Sequence, residues 1–407
     1  TAVGYQALTA NTTGIQNVAV GVQSGYQNTT GIANTYLGFN AGFYGNGSYN
    51  TFVGWGSGPN ITNGSSVSNC TAVGYASLSN TTSGSPNDAF GYQALYSNTT
   101  GAYNVAVGYQ SQYTNTVGSG NTSVGKSSLF NNITNNNTAF GAAALTANTT
   151  GSPNDAFGYQ TLFSNTTGTQ NVGIGYQSLY TNTTGNSNTA VGYTSQFLNS
   201  TGGANTSLGY GSLYSNTASN NTAVGYNALS SNTSGTPNDA FGFAALFSNT
   251  TGAYNVGIGY QALYSNTVGT TNTAIGQQAL YTNSTGTDST AVGAGTLYAN
   301  TVSGNTAVGR LALRYNTTGA PNDAFGYGSL FSNTTGYNNV AIGYESLRSN
   351  TTGGSNVAVG RGALYTNNAN NNTAVGYNAL AYNSTGTPND AFGFQALYSN
   401  TTCLLYT

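Results

Sequence analysis

The sequence predicts an all-β fold, a repetitive parallel β-solenoid or β-roll of about 24 coils with a period near 17 residues. Three observations lead there. A unit close to Asn-Thr-Ala-Val-Gly-Tyr-Gln-Ala-Leu-Tyr-Ser-Asn-Thr-Thr-Gly-x-x recurs along almost the whole chain. The steps between its first glycines, at Gly4, Gly21, Gly108, Gly175, Gly259, Gly343 and Gly393 among others, are nearly all 17 or 16 residues. The unit also combines two glycines, β-branched residues and an Asn-Thr-Thr-Gly turn, which together disfavour a helix.

Taking that first glycine as position 0, position −1 is large and apolar in every copy, as at Val3, Val20, Leu37, Val107, Ile174, Ile258, Ile342 and Phe392. Position +4 is Leu in most copies, including Leu95, Leu179, Leu263 and Leu347. The expectation is that these two columns form the core ladder, with two short strands and two turns per coil. Alternation then places position −2, which is nearly always Ala, Gly or Ser, on the opposite face. That face, stripped to small side chains, is expected to pack against a neighbouring chain, as is position +3, which is Ala, Ser or Thr.

The short steps lose residues at the turn, as in Asn367-Asn368-Ala369-Asn370-Asn371, while the Ala-Val-Gly segment keeps its length. A higher period lies above the first. Pro-Asn-Asp-Ala-Phe-Gly ends at Gly91, Gly158, Gly242, Gly326 and Gly393, each time in the coil after an irregular step. The array is expected to run as one continuous body over residues 1–402, an uncapped fragment of a longer protein, with an insertion at 59–70. Residues 403–407 leave the repeat and are expected to be a non-native tail.

With Lys and Arg numbering 5 and Asp and Glu 7 in 407 residues, the chain lacks an ordinary charged shell, and its solubility must come from Asn, Thr, Ser and Gly. No basic patch predicts nucleic-acid binding, and no stretch approaches the roughly 20 apolar residues of a membrane-spanning helix. Cys70 and Cys403 lie too many coils apart to form a disulfide. There is no His, so neither an imidazole base nor an imidazole metal ligand exists, and no catalytic, cofactor or metal site is predicted. The recurring carboxylates Asp88, Asp155, Asp239, Asp323 and Asp390 are too far apart for paired acid and base work and read as Asx turns at strand entrances.

Two aromatic columns are the candidate contact surface. Position +1 carries Tyr92, Tyr176, Tyr260 and Tyr344, and accepts Lys126, Arg310 or Arg361 elsewhere, which predicts exposure. Position +5 carries Tyr96, Tyr180 and Tyr264, interrupted by Arg314 and Arg348. Such ladders serve either to stabilise the stack or to bind a surface or glycan.

The Asn-Thr-Ala-Val-Gly and Asn-Val-Ala-Ile-Gly cores, with a small residue and Leu following, resemble the head repeats of YadA-like trimeric autotransporter adhesins and the related repeats of phage tail fibres. The resemblance covers nearly the whole chain, although the unit in those heads is shorter. It implies a left-handed β-roll of three chains about one axis. The function it implies is a homotrimeric fibre, extracellular on a bacterial surface or a virion tail, that gives reach and multivalent attachment to a host surface, glycan or matrix. The alternatives are a monomeric ice- or glycan-binding solenoid, or a self-assembling cross-β fibre.

Overall fold

The computed structural model describes residues 1–60 and 65–401; the proposed tail at 403–407 and part of the insertion lie outside them. The chain divides into two compact units, Thr1–Asn205 and Thr206–Thr407. In the first, strands run from β1 (Ala2–Val3) to β12 (Thr189–Val191), and in the second from β13 (Thr206–Leu208) to β24 (Asp390–Phe392). Within each unit consecutive strands pair in parallel and in register, one per coil, as where β10 (Asn154–Phe157) sets Asp155 against Val172 and Phe157 against Ile174 of β11 (Asn171–Ile174). The all-β parallel solenoid read from the period is therefore the fold.

Each coil has one strand of two to four residues, not the expected two. The other side is held by the same kind of coil-to-coil hydrogen bonds but in a different backbone conformation. Gln177 and Leu179 adopt φ of 52° and 53°. Their amides then point alternately up and down the stack: Gln177 N–H donates to Tyr159 O at 2.9 Å and Leu179 N–H to Ser195 O at 3.0 Å. L-residues adopt this left-handed region at a cost of roughly 1–2 kcal/mol. Several coils use glycine at the same places instead, as at Gly211, Gly295 and Gly362.

The core ladder needs one correction. Leu95, Leu179, Leu263 and Leu347 are fully buried, as expected. The position −1 column is on the outside: Ile174 is 41% exposed, Ile258 38% and Ile342 42%, and Val107 is only half-buried. The interior partner of each Leu is the small residue at −2, such as Ala89, Ala106, Ala156 or Ala240. The small face therefore packs inside its own coil and is not free for a neighbouring chain. The physical reason is thickness. A coil this short leaves room for one leucine from one side and about a methyl group from the other.

Exceptions to the pattern keep the interior volume constant. Tyr36 and Phe52 occupy −2 and are buried, and the coils around them have Gly25, Gly42 and Gly58 at +4 in place of Leu. A Cβ on Gly25 or Gly42 would lie 2.6 or 2.5 Å from the Tyr36 ring, and one on Gly58 2.4 Å from Phe52. Elsewhere the exchange is polar. Gln112 replaces Leu at +4 and donates to Ser123 Oγ at 2.9 Å and Val105 O at 2.9 Å. This layer separates two apolar clusters of the first unit.

Two buried asparagine columns line the rest of the interior. At −4, Asn171 Nδ2 donates to Gly185 O across its own coil at 2.8 Å, while Asn154 Oδ1 accepts from the Asn171 backbone amide at 3.0 Å. At +7, Asn165 Nδ2 donates to Asn148 Oδ1 at 2.8 Å and to Gly168 O at 3.0 Å. In four of the five 16-residue coils the turn closes one residue earlier and the same amide reaches the carbonyl two residues on, as from Asn132 to Thr134 O at 2.8 Å or Asn367 to Ala369 O at 2.8 Å; the remaining one has Gly45 at this place. The turn can shorten because Nδ2 keeps a backbone carbonyl, although the side-chain link to the preceding coil is given up and Asn283 Oδ1 and Asn350 Oδ1 are left buried without a partner.

The Pro-Asn-Asp coils follow from the same accounting. In an ordinary coil the residue at −5 donates its N–H to the preceding coil, as Asn136 does to Ser119 O at 3.0 Å. Pro has no N–H to give. In four of the five such coils the hydroxyl one residue earlier replaces it: Ser85 Oγ donates to Ser68 O at 2.6 Å and Ser152 Oγ to Asn135 O at 2.5 Å, with Thr236 and Thr387 donating to Ser219 O and Asn370 O; the fifth has Ala320 at that place and no such bond. The aspartates that follow lie inside the strands on the outward face, as at Asp88 and Asp155, and not at the expected turn.

Glycine at position 0 is required by both space and dihedral. Gly175 has φ of +126°, and a Cβ there would lie 2.4 Å from Gly192 O in the next coil. Gly175→Ala is expected to cost about 3 kcal/mol or more, read as a lowered denaturation midpoint, whereas a midpoint within error of wild type would remove the close-approach argument. The shared core volume makes a second prediction. Ala156→Tyr alone should destabilise by about 3 kcal/mol through overpacking. Adding Leu145→Gly and Leu162→Gly should recover most of the loss, and failure of the triple variant to improve on the single one would refute the exchange.

Candidate functional site

The outward surface is built from the same coil step. Position −1 and position +1 flank the obligatory glycine, and both face solvent. Tyr92, Tyr176, Tyr260 and Tyr344 at +1 are 42%, 41%, 47% and 46% exposed. Because each coil lies one backbone spacing above the last, side chains at one position stack in offset parallel fashion. Tyr92 stacks on Tyr75 and Tyr109 with centroids 5.0 and 5.1 Å away, in a run that continues through Trp55. Tyr176 stacks on Tyr159 at 5.3 Å and Tyr193 at 4.9 Å, Tyr260 on Phe243 at 5.2 Å and Tyr344 on Tyr327 at 5.2 Å.

The position +5 column forms a second rail. Tyr96 stacks on Tyr113 at 5.2 Å, Tyr180 on Phe163 and Phe197 at 5.2 and 5.1 Å, and Tyr264 on Phe247 and Tyr281 at 5.3 and 5.2 Å. All seven tyrosines singled out from the sequence therefore belong to continuous ring stacks. Burial within this rail, followed by the phenols of Tyr298, Tyr264 and Tyr260, pushes the Tyr281 hydroxyl above its ordinary range.

Between the rails lies a column that sequence reasoning passed over, the glutamines at +2. Gln23 Nε2 donates to Gln6 Oε1 at 2.8 Å, Gln110 to Gln93 at 3.0 Å and Gln177 to Gln160 at 2.7 Å. The signal was present as Gln recurring beside the rail residue, yet a polar side chain at an outward place carries little weight by itself. The result is a groove with aromatic walls and an amide floor.

The arginines continue the rails and do not break them. Arg314 lies over Tyr298 at 4.9 Å, Arg348 over Phe331 at 5.2 Å and Arg361 over Tyr344 at 5.2 Å, distances at which the ring face attracts a cation. Burial lowers the affinity of Arg348 for its proton, but the Glu345 carboxylate, to which it is paired, holds it above the ordinary value. Among the described residues this is the one ion pair.

Cys70 takes the place of an asparagine in the −4 column, with Sγ 4.0 Å from Gly84 O. Burial, reinforced by Asp88, pushes its thiol up to about 11, so it stays protonated near neutral pH. Among the described residues no group of three or more His, Cys, Asp or Glu gathers as a metal site, and no helix is long and apolar enough to cross a membrane. Cys403 lies outside the described residues. No protein-family model matches the chain, and no curated protein matches it.

Proposed function

We propose that this chain is part of a structural and adhesive surface fibre, an extracellular homotrimer of left-handed coils on a bacterial surface or virion tail. It gives reach and multivalent attachment to a host surface, glycan or matrix. The observation that carries the reading is the pair of aromatic rails, exposed at +1 and half-buried at +5, which repeat one weak contact along most coils. Many weak contacts on a stiff support reach a combined affinity far above that of any one.

The outward position −1 column supports the oligomer. Within each unit this column forms a recurring stripe of large apolar side chains, with Phe140, Phe157 and Ile174 in the first and Ile258 and Ile342 in the second. A stripe of this kind marks an interaction surface. Identical copies about a common axis cover it with side chains of the same spacing.

The hydroxyls at position +8 weigh against ice binding. Thr166, Thr183, Thr250 and Thr317 donate to carbonyls of the next coil at 3.0 to 3.1 Å, so their hydrogens are committed to the fold.

Two measurements test the reading. Wild-type chain should sediment at three chain masses, and Ile174→Arg with Ile258→Arg should sediment as one while keeping its β-type circular dichroism. A wild-type protein that sediments as a single chain ends the trimer proposal. Tyr176→Ser with Tyr260→Ser should lower retention on a glycan- or matrix-coated surface by about tenfold or more, and unchanged retention would eliminate the rails as the contact surface.

A further inference from the structure

We infer that the cleft around Arg361 is a binding site for a sugar carboxylate, such as a hexuronate unit of an acidic polysaccharide. The inference rests on the attachment reading above and narrows it to one ligand class at one place. Along most of the groove, the side chain at +2 fills the floor and the aromatic at +5 forms the wall. Two adjacent coils depart from this together: Gly362 stands at +2 in one, and Ala381 at +5 in the next. The Asn378 amide leans over Gly362, and the space that remains is about 290 Å³, close to the lower end, about 300 Å³, of small-molecule sites.

What surrounds that space suits an acidic sugar. Tyr344, Tyr365 and Tyr377 line it; the faces of Tyr344 and Tyr377 are covered by Tyr327, Arg361 and Phe394, so these two residues offer ring edges and hydroxyls to a pyranose. Arg361 replaces a tyrosine in the rail, with its guanidinium 5.2 Å from the Tyr344 centroid and 5.8 Å from that of Tyr377. A guanidinium stacked between two rings is held in orientation while its N–H edge stays free to bind a carboxylate in a two-pronged fashion. The cleft also contains Glu345, but Arg348 pairs with that carboxylate, so the Arg361 charge is not neutralised by it.

A nearby cleft shows by contrast what the site requires. It is about 150 Å³, beside Ala294, Gly295 and Arg310. There Arg314 folds into the gap, with Nη1 2.4 Å from where a Gly295 Cβ would stand. That guanidinium narrows its own cleft, whereas over Gly362 it is the neutral Asn378 amide that takes the space and Arg361 borders what stays open.

The test measures binding of glucuronate, glucose and glucose 6-sulfate to the whole chain by saturation-transfer NMR with titration. Glucuronate is expected to bind at least about tenfold tighter than glucose or the sulfate ester, as a charge-assisted pair implies. Arg361→Gln should reduce glucuronate to the level of glucose, and Ala381→Tyr, which refills the rail, should abolish binding of both, with circular dichroism unchanged in each variant. Equal binding of glucuronate and glucose, tighter binding of the sulfate ester, or no effect of Arg361→Gln would overturn the site. If Tyr176→Ser with Tyr260→Ser abolishes surface attachment while glucuronate shows no preference, the cleft fails and the attachment reading stands. If instead glucuronate binds selectively while attachment is indifferent to the two tyrosines, the cleft stands and the rails fail.

Discussion

A buried asparagine amide that ties each coil both to itself and to the next is the interaction on which the rest depends. Burying one leucine contributes about 1.5–3 kcal/mol, while fixing the backbone costs roughly 1–2 kcal/mol per residue. One Leu and one Ala per 17-residue coil cannot offset that. Although a few buried oxygens, such as Asn182 Oδ1 and Asn350 Oδ1, lack a partner, much of the difference must come from hydrogen bonds shielded from water. Asn154 does this with a single side chain, since Nδ2 reaches Gly168 O at 2.8 Å and Oδ1 takes the Asn171 amide at 3.0 Å. Leaving either group unpaired in the interior would cost about 1–3 kcal/mol.

The outer surface inherits its order from that ladder. Rings at +1 and +5 lie 4.8 to 5.3 Å apart in most pairs because the coils beneath them are one backbone spacing apart. The amides at +2 repeat at the same spacing, and so do the guanidiniums that stand in for rings. Regular recognition surfaces thus arise without a dedicated loop, and departures in two adjacent coils, at Gly362 and Ala381, turn a filled groove into a cavity.

Much of this was legible in the sequence. The period, the buried Leu column, the turn that tolerates shortening and the two aromatic rails all followed from residue identities at fixed positions. The inner and outer faces of the strand did not. Reasoning that the bulkier apolar column must be buried placed Ile174 inside and Ala156 outside, and the opposite holds. The clue was in the exceptions. Tyr36 and Phe52 appear at −2 only where +4 is glycine, which ties the two positions to one shared volume. The missing second strand was likewise foreshadowed by Gly211, Gly295 and Gly362, which mark +2 as a left-handed position. Gly362 and Ala381 could also have been read as adjacent deletions from the consensus, but only knowing that +2 and +5 border one groove gives that pairing meaning.

The packing of Tyr36 bears on how such a gene can change by copying. Its ring occupies space vacated both by Gly42 in its own coil and by Gly25 in the coil before. A crossover that joined the Tyr36 coil to a leucine-bearing upstream neighbour would force two large side chains into one space. Consensus coils carry no such dependence and can be inserted or deleted freely. Duplication is thus permitted in blocks whose joints fall between Ala-and-Leu coils, and arrays of this type should record their ancestry in where the aromatic and glycine partners have never been parted.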